Sequence, residues 1–296
     1  GVGGNAISFV KKYEKEINHK EITTNEAIAK VVEIENLDID ISRIKQEENN
    51  YKYSTLTKTY SDEEKKLLEI NEFLAKLFNY NLTAIRGESY EYLQNRGISD
   101  EMMKEMQLGF AIKGQVLQLI DSKFSPTDLI ELGLIRLGES QYYEVFEDRI
   151  MYPITDEKGN VVTFAGRSIH NEEPKYLHTA ETPIFHKKEL LYNYSNAKNY
   201  SYNDEMYIVE GYMDVIGAKK LGFDNVVAIM GTAITPEQMN LLKTNNCSIT
   251  LALDNDNAGI DSMIKHIPIL LSQGFDINVV DLSKLGEFKD FGDIGN

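Results

Sequence analysis

The chain has 296 residues, 42% of them hydrophobic and 26% charged, with a formal net charge of −16, enough apolar matter for a sizeable core and roughly two domains. One cysteine, Cys247, excludes an intrachain disulfide and a cysteine-built zinc cage within these residues, and no apolar run approaches the roughly 18 residues of a membrane span. The acidic balance excludes a uniformly basic nucleic-acid-binding surface, because polyanion binding rests on Lys and Arg neutralising phosphates. The first residues lack the basic-then-apolar order of a secretory signal, so a cytoplasmic, monomeric protein is expected.

Residues 1–35 read as a glycine-bearing lead followed by helical pieces, and 36–60 as a polar connector without a clear period. Ser61 with Glu64 forms a capping-box signature, and Leu67, Phe73, Leu74, Leu77 and Phe78 then supply a helical apolar face. A second helical run closes at Gly97, Ser99 caps a third, and Ser125-Pro126 opens a fourth with proline just inside its start. The texture changes at Tyr143: "RIMYPIT" and "VVTFAGRS" read as two strands joined by a turn over Asp156 to Asn160, where Gly159 supplies the backbone freedom. Beyond Ser201 the pattern becomes apolar strand, polar loop, helix: "MYIVE", "NVVAIM", "SITLALD" and "INVVDL" are the strands. Consecutive apolar residues in strands that alternate with helices imply a parallel sheet covered on both faces. The expected fold is α/β: an α+β amino-terminal subdomain over 61–200, then a parallel α/β sheet domain over 201–296.

Functional side chains in such sheets collect beyond the carboxyl ends of the strands. Glu210 ends the first strand, Asp254 and Asp256 end the third, Asp214 lies four residues after Glu210, and Asp290 and Asp293 follow the fourth strand. Carboxylates sharing a small space repel unless a cation screens them, and hard oxygen ligands suit Mg²⁺ or Mn²⁺ and metal-assisted phosphoryl transfer. Asp-x-Asp at a strand end also serves as a solvated turn whose side chains cap backbone amides. An EF-hand match fails at Ala258 and Lys265.

Charge is uneven along the chain. Between Arg149 and Lys198 seven Lys or Arg face six Asp or Glu, a surplus of one against −17 elsewhere. In this window Arg167, Lys175, His178, His186 and Lys187 interleave with Phe164, Tyr176 and Phe185, a mixture suited to holding phosphates and stacking single-stranded bases. Zinc ligation by His178 and His186 lacks the companion ligands such a site needs.

"FEDRIMYPITDEKGNVVTFAGRS", "PKYLHTAETPIFHK", "IVEGYMDVI", "VAIMGTAIT" and "LALDNDNAG" follow in the order and spacing of bacterial DnaG-type primases, a resemblance that runs from about Leu82 to the carboxyl end, and residues from about Ser201 onward resemble the TOPRIM module. The resemblance implies synthesis of RNA primers on a single-stranded DNA template from ribonucleoside triphosphates, with Mg²⁺ or Mn²⁺ at the TOPRIM acids. It implies catalytic roles for Glu210, Asp254 and Asp256, metal ligation by those three with Asp290 and Asp293, and nucleotide or template contacts from Arg149, Arg167, Lys175, His186, Lys187 and Asp214. Glu147 stands where many relatives carry an Arg. The resemblance further implies inhibition by guanosine alarmones (ppGpp, pppGpp), that residues 1–60 are the tail of a zinc-binding domain and a linker, so that no zinc is expected here, and that a replicative helicase docks on a domain outside this chain. A topoisomerase or nuclease on the same module, or a silent nucleotide sensor, are the rival readings.

Overall fold

The computed structural model describes residues 6–34, 59–170, 172–200, 205–231, 233–245, 247–254, 256–280 and 290–293. The lead at 1–5 and nearly all of the connector expected over 36–60 lie outside the described residues. The chain divides into two units, residues 1–59 with 270–276, and residues 60–269 with 277–296. In the first, helices α1 (Ala6–Glu16) and α2 (Thr24–Ile34) enclose Val10, Ile22 and Ala27, and Lys30 donates to Glu14 Oε1 at 2.5 Å.

The second unit opens with α3 (Asp62–Ile85), whose capping box forms as the sequence implies: Ser61 Oγ accepts from Glu64 N–H at 3.1 Å, and Glu64 Oε2 accepts from Ser61 N–H at 2.8 Å. Leu67, Ile70, Leu74 and Phe78 recur at helical spacing and are buried. Short helices α4 (Glu88–Asn95), α5 (Asp100–Glu105) and α6 (Pro126–Glu131) follow, Ser99 and Ser125 capping the latter two. Strands β1 (Gly109–Ala111), β4 (Arg149–Thr155), β5 (Val161–Arg167) and β6 (Tyr176–His178) form an antiparallel sheet in the order β1-β4-β5-β6, while β2 (Ile135–Leu137) and β3 (Tyr142–Glu144) make a separate hairpin. The β4–β5 turn has Gly159 at φ 91° and is tied by Asp156, whose Oδ1 accepts from Asn160 N–H at 2.9 Å and whose Oδ2 accepts from Tyr60 Oη at 2.9 Å.

After α7 (Tyr194–Ala197), strands β7 (Glu205–Val209), β8 (Val226–Ala228), β9 (Ser248–Leu251) and β10 (Ile277–Val279) form a parallel sheet in the order β10-β9-β7-β8, with α8 (Tyr212–Lys220), α9 (Pro236–Thr244) and α10 (Asn257–Ser272) between them. Every residue of β4 but its last, and every residue of β5, is buried, because the antiparallel sheet is the shared middle layer. Ile150, Tyr152 and Ile154 alternate onto the face that packs with Val209, Tyr212, Val215 and Ala228 of the parallel-sheet half. Met151 points the other way, into the core with Leu74 and Phe78 of α3. The two halves therefore share one apolar core.

Candidate active site

The acids converge because parallel strands end on the same side of their sheet. Asp254 follows β9, and Asp214 sits at the third position of α8, directly after β7. The third acid arrives from further along the chain: the turn Phe291–Asp293 packs on α8 at Gly217, where a Cβ would stand 1.9 Å from the Phe291 carbonyl oxygen. Only glycine permits that approach, and it delivers Asp290. Asp214, Asp254 and Asp290 each offer a carboxylate oxygen, all within 4.8 Å of one another.

Asp214 is the most buried of the three. Its Oδ2 accepts from Gly211 N–H at 2.8 Å and its Oδ1 from Gly292 N–H at 3.3 Å, so it both caps α8 and fixes the incoming turn. Even with two donors its pKa is pushed up to about 7, first by burial and then by the charges of Asp290 and Asp254. This is a cluster whose own charge is unbalanced, built from hard oxygen donors, which fits a divalent cation.

The other expected acids surround this triad in different roles. Glu210 lines the same cleft and accepts from Asp254 N–H at 3.2 Å, setting the course of the chain as it leaves β9. Asp256 accepts from Gly259 N–H at 2.9 Å as the cap of α10 and is outside the triad; of the two carboxylates in "DND" the first enters the cluster and the second starts the helix. Asp293 donates its backbone N–H to Asp290 Oδ1 at 2.9 Å, and its carboxylate lies 3.8 Å from the Arg96 guanidinium.

Facing the acids across a cleft of about 380 Å³ are Arg96, Arg167, Lys175, Tyr176 and His178. Arg167 is buried, with its guanidinium 5.2 Å from the Tyr92 ring centre and 5.4 Å from that of Tyr176, and Nη1 donates to Tyr176 Oη at 3.0 Å. Its Nε–H has no acceptor among the described residues. His178 Nε2 lies 2.7 Å from Tyr212 Oη, and burial, helped by Lys187, holds its pKa down at about 4, so the ring is neutral at pH 7 and Lys187 is electrostatically close. His186 pairs with Glu181 at 3.5 Å. No histidine joins the acidic cluster among the described residues.

Arg149 is placed differently from the sequence expectation of a nucleotide or template contact. It is buried, its Nη1 donates to the carbonyls of Gly166 at 3.3 Å and Pro174 at 3.0 Å, and its other arm lies 3.7 Å from Glu172. Among the described residues it is not part of the cleft lining; it anchors the segment that presents Lys175. Among the lining residues that the sequence does not single out are Arg96, an ordinary-looking cation at the end of α4; Tyr212, whose ring contacts those of Tyr152, Tyr176, Tyr192 and His178 at centroid distances of 4.8–5.9 Å; and Met230, which has φ 55°. A left-handed residue directly after a buried strand would have been the one available signal, and it is invisible in a non-glycine side chain.

Two family models match the chain, one described as DNA primase catalytic core, N-terminal domain, over residues 77–198, the other as Toprim-like, over 207–294. The DNA primase of Staphylococcus epidermidis is 33% identical over 288 residues, covering 95% of this chain and 46% of that protein. The chain thus spans about half the length of the curated relatives it matches. A DnaG primase catalytic domain solved bound to single-stranded DNA superposes with a TM-score of 0.69 at 28% identity, covering 78% of this chain and 74% of that one. A DNA primase domain from Pseudomonas aeruginosa gives a TM-score of 0.69 at 30% identity, covering 77% and 74%. Among the described residues no helix is long and apolar enough to cross a membrane.

Proposed function

Because the chain belongs to the DnaG-type DNA primase family, we propose that it polymerises ribonucleoside triphosphates into short RNA primers on a single-stranded DNA template. The observation that supports this reading is the juxtaposition, in one cleft, of the Asp214, Asp254 and Asp290 carboxylates with Arg96, Arg167 and Lys175. Residues 61–200 supply the template and nucleotide side of the cleft, and 201–296 the catalytic acids.

The acids would hold Mg²⁺ or Mn²⁺, which supplies Lewis-acid stabilisation of the charge that develops in phosphoryl transfer. Asp254 and Asp290 are the half-exposed ligands and Asp214 the buried one that fixes their spacing. Glu210, through its bond to the Asp254 backbone, keeps Asp254 aimed at the cluster, and Asp256 holds the start of α10. On the facing wall the Arg167 guanidinium, which lines the cleft, faces the phosphates with its charge, Lys175 and Lys187 add positive charge beside the triphosphate, and the ring of Tyr176 gives a base a stacking face. Guanosine alarmones carry the same phosphates and would compete for this place.

Incorporation of labelled ribonucleotides on single-stranded DNA with Mg²⁺ or Mn²⁺ tests the proposal. Template-dependent products that vanish in Asp254→Ala support it; tight nucleotide binding with no incorporation on any template would favour a sensor instead.

A further inference from the structure

His266 is buried two turns into α10, away from the acids. Its Nε2 lies 3.1 Å from the backbone nitrogen of Ile234, and its Nδ1 lies 3.1 Å from Ser262 Oγ. A backbone N–H only donates, so Nε2 accepts; the ring is neutral and carries its proton on Nδ1. Burial favours the same neutral form.

The segment that receives this bond connects the two walls of the cleft. Upstream of Ile234, Met230 and Gly231 line the cleft, and Met230 N–H donates to the Glu210 carbonyl at 3.0 Å. Downstream, Thr235 Oγ1 donates to the Lys188 carbonyl at 2.6 Å, and Gln238 Nε2 donates to the carbonyls of Leu190 at 2.7 Å and Ile229 at 3.2 Å. The turn Lys187–Glu189 is therefore fastened to Thr235 and Gln238, and Ile234 beside them to α10, whose cap Asp256 lies two residues past Asp254. Met230 adopts a left-handed backbone without being glycine, a conformation that persists only where the surroundings over-determine it.

We propose that His266 is a positioning residue for nucleotide binding: by accepting from Ile234 it locks residues 233–238 against α10, and through Thr235 and Gln238 it sets the place of the Lys187–Glu189 turn relative to the acids. The inference rests on the nucleotide cleft argued above.

Two variants separate the possibilities. His266→Leu removes the acceptor, whereas the Oε1 of His266→Gln reaches the position of Nε2 and restores it. In metal-free protein, His266→Leu should speed hydrogen exchange about tenfold, the worth of one lost hydrogen bond, at Ile234 and also at Glu189 and Leu190 across the strap; His266→Gln should stay near wild type at all three. In template-directed incorporation, His266→Leu should raise the ribonucleotide KM about tenfold with kcat little changed, and Gln should rescue it. Ring ¹⁵N shifts of the wild type should show a proton on Nδ1. A proton on Nε2, or unaltered exchange at Glu189 and Leu190 in the Leu variant, would overturn the strap. Altered exchange with an unchanged KM would overturn the positioning role. If the wild type makes no primers, the functional reading fails, and the strap is still decided by exchange.

Discussion

The two walls of the cleft are built on opposite principles. The acidic wall gathers Asp214, Asp254 and Asp290 from three separate stretches of chain and leaves their charges opposing one another, with one carboxyl pushed up to a pKa of about 7. The cationic wall balances itself: Arg167 rests on tyrosine rings and His178 is neutral beside Tyr212, while Arg149, outside the lining, holds the carbonyls behind Lys175. Local order on the cationic side comes from packing. On the acidic side order comes from backbone amides holding groups that would otherwise separate, an arrangement of hard oxygen donors that suits a divalent cation.

The sharpest break of this contrast is Asp254→Ala. It should lower metal-dependent nucleotide incorporation by more than the 10–100-fold typical of a partner one shell away from a metal, with the fold retained by circular dichroism; full activity at low Mg²⁺ would remove Asp254 from the site. Next is Gly217→Ala. Its Cβ would displace the Phe291 carbonyl, so Asp290 should leave the cluster and activity fall about 10–100-fold, as for a lost supporting contact, with apparent Mg²⁺ affinity falling in step. Unchanged Mg²⁺ dependence would show that the turn does not set the metal geometry.

Asp214→Asn sharpens the comparison through stability. A carboxyl whose folded pKa lies above its unfolded value binds more protons folded than unfolded, so in chelator the wild type should lose stability as pH rises from about 4 to 7. The Asn variant should lack that slope and exceed the wild type by about 2–3 kcal/mol at pH 8, one lost backbone hydrogen bond being set against the relief of charge, with no advantage below pH 4. Urea titrations at the two pH values would measure it, and equal stability at pH 8 would count against a frustrated cluster. The smallest effect separates the cations. Lys175→Ala should reduce the slope of log affinity for single-stranded DNA against log salt by about 0.7, one phosphate contact, whereas Arg149→Ala should leave the slope unchanged and instead lower the melting temperature. Fluorescence anisotropy across a salt series decides between them; an altered slope for Arg149→Ala would place its guanidinium on the nucleic acid.

The parallel sheet and the side on which its acids meet were legible because apolar runs alternating with helices admit few topologies. The partition among the acids was not. Its spacing put Asp214 among the converging acids and the resemblance put it with the nucleotide contacts, and how it turns inward depends on a cap bond to Gly211 that no periodicity announces. Asp254 and Asp256 look equivalent in the sequence, yet a helix needs a cap and the nearer residue becomes it. The placement of Arg149 is hidden for a related reason. The family resemblance makes this residue a nucleotide or template contact, and only the placement of Gly166, Pro174 and Lys175 shows that their carbonyls already surround it. Arg96 stands about 50 residues before the cationic window, so linear charge counting passes over it.

Tyr212 opens α8 of the catalytic half, while its ring lies against Tyr152 and Tyr176 of the antiparallel sheet. Through this set of rings the two sides of the cleft interlock, and it behaves as a mould rather than a clamp. Interiors packed in this way resist compression, so the gap between acids and cations is fixed before any substrate enters. If the chain extends a primer as proposed, each one-nucleotide advance comes from the hybrid sliding along that surface, with grip and release set by how many phosphates it leaves behind.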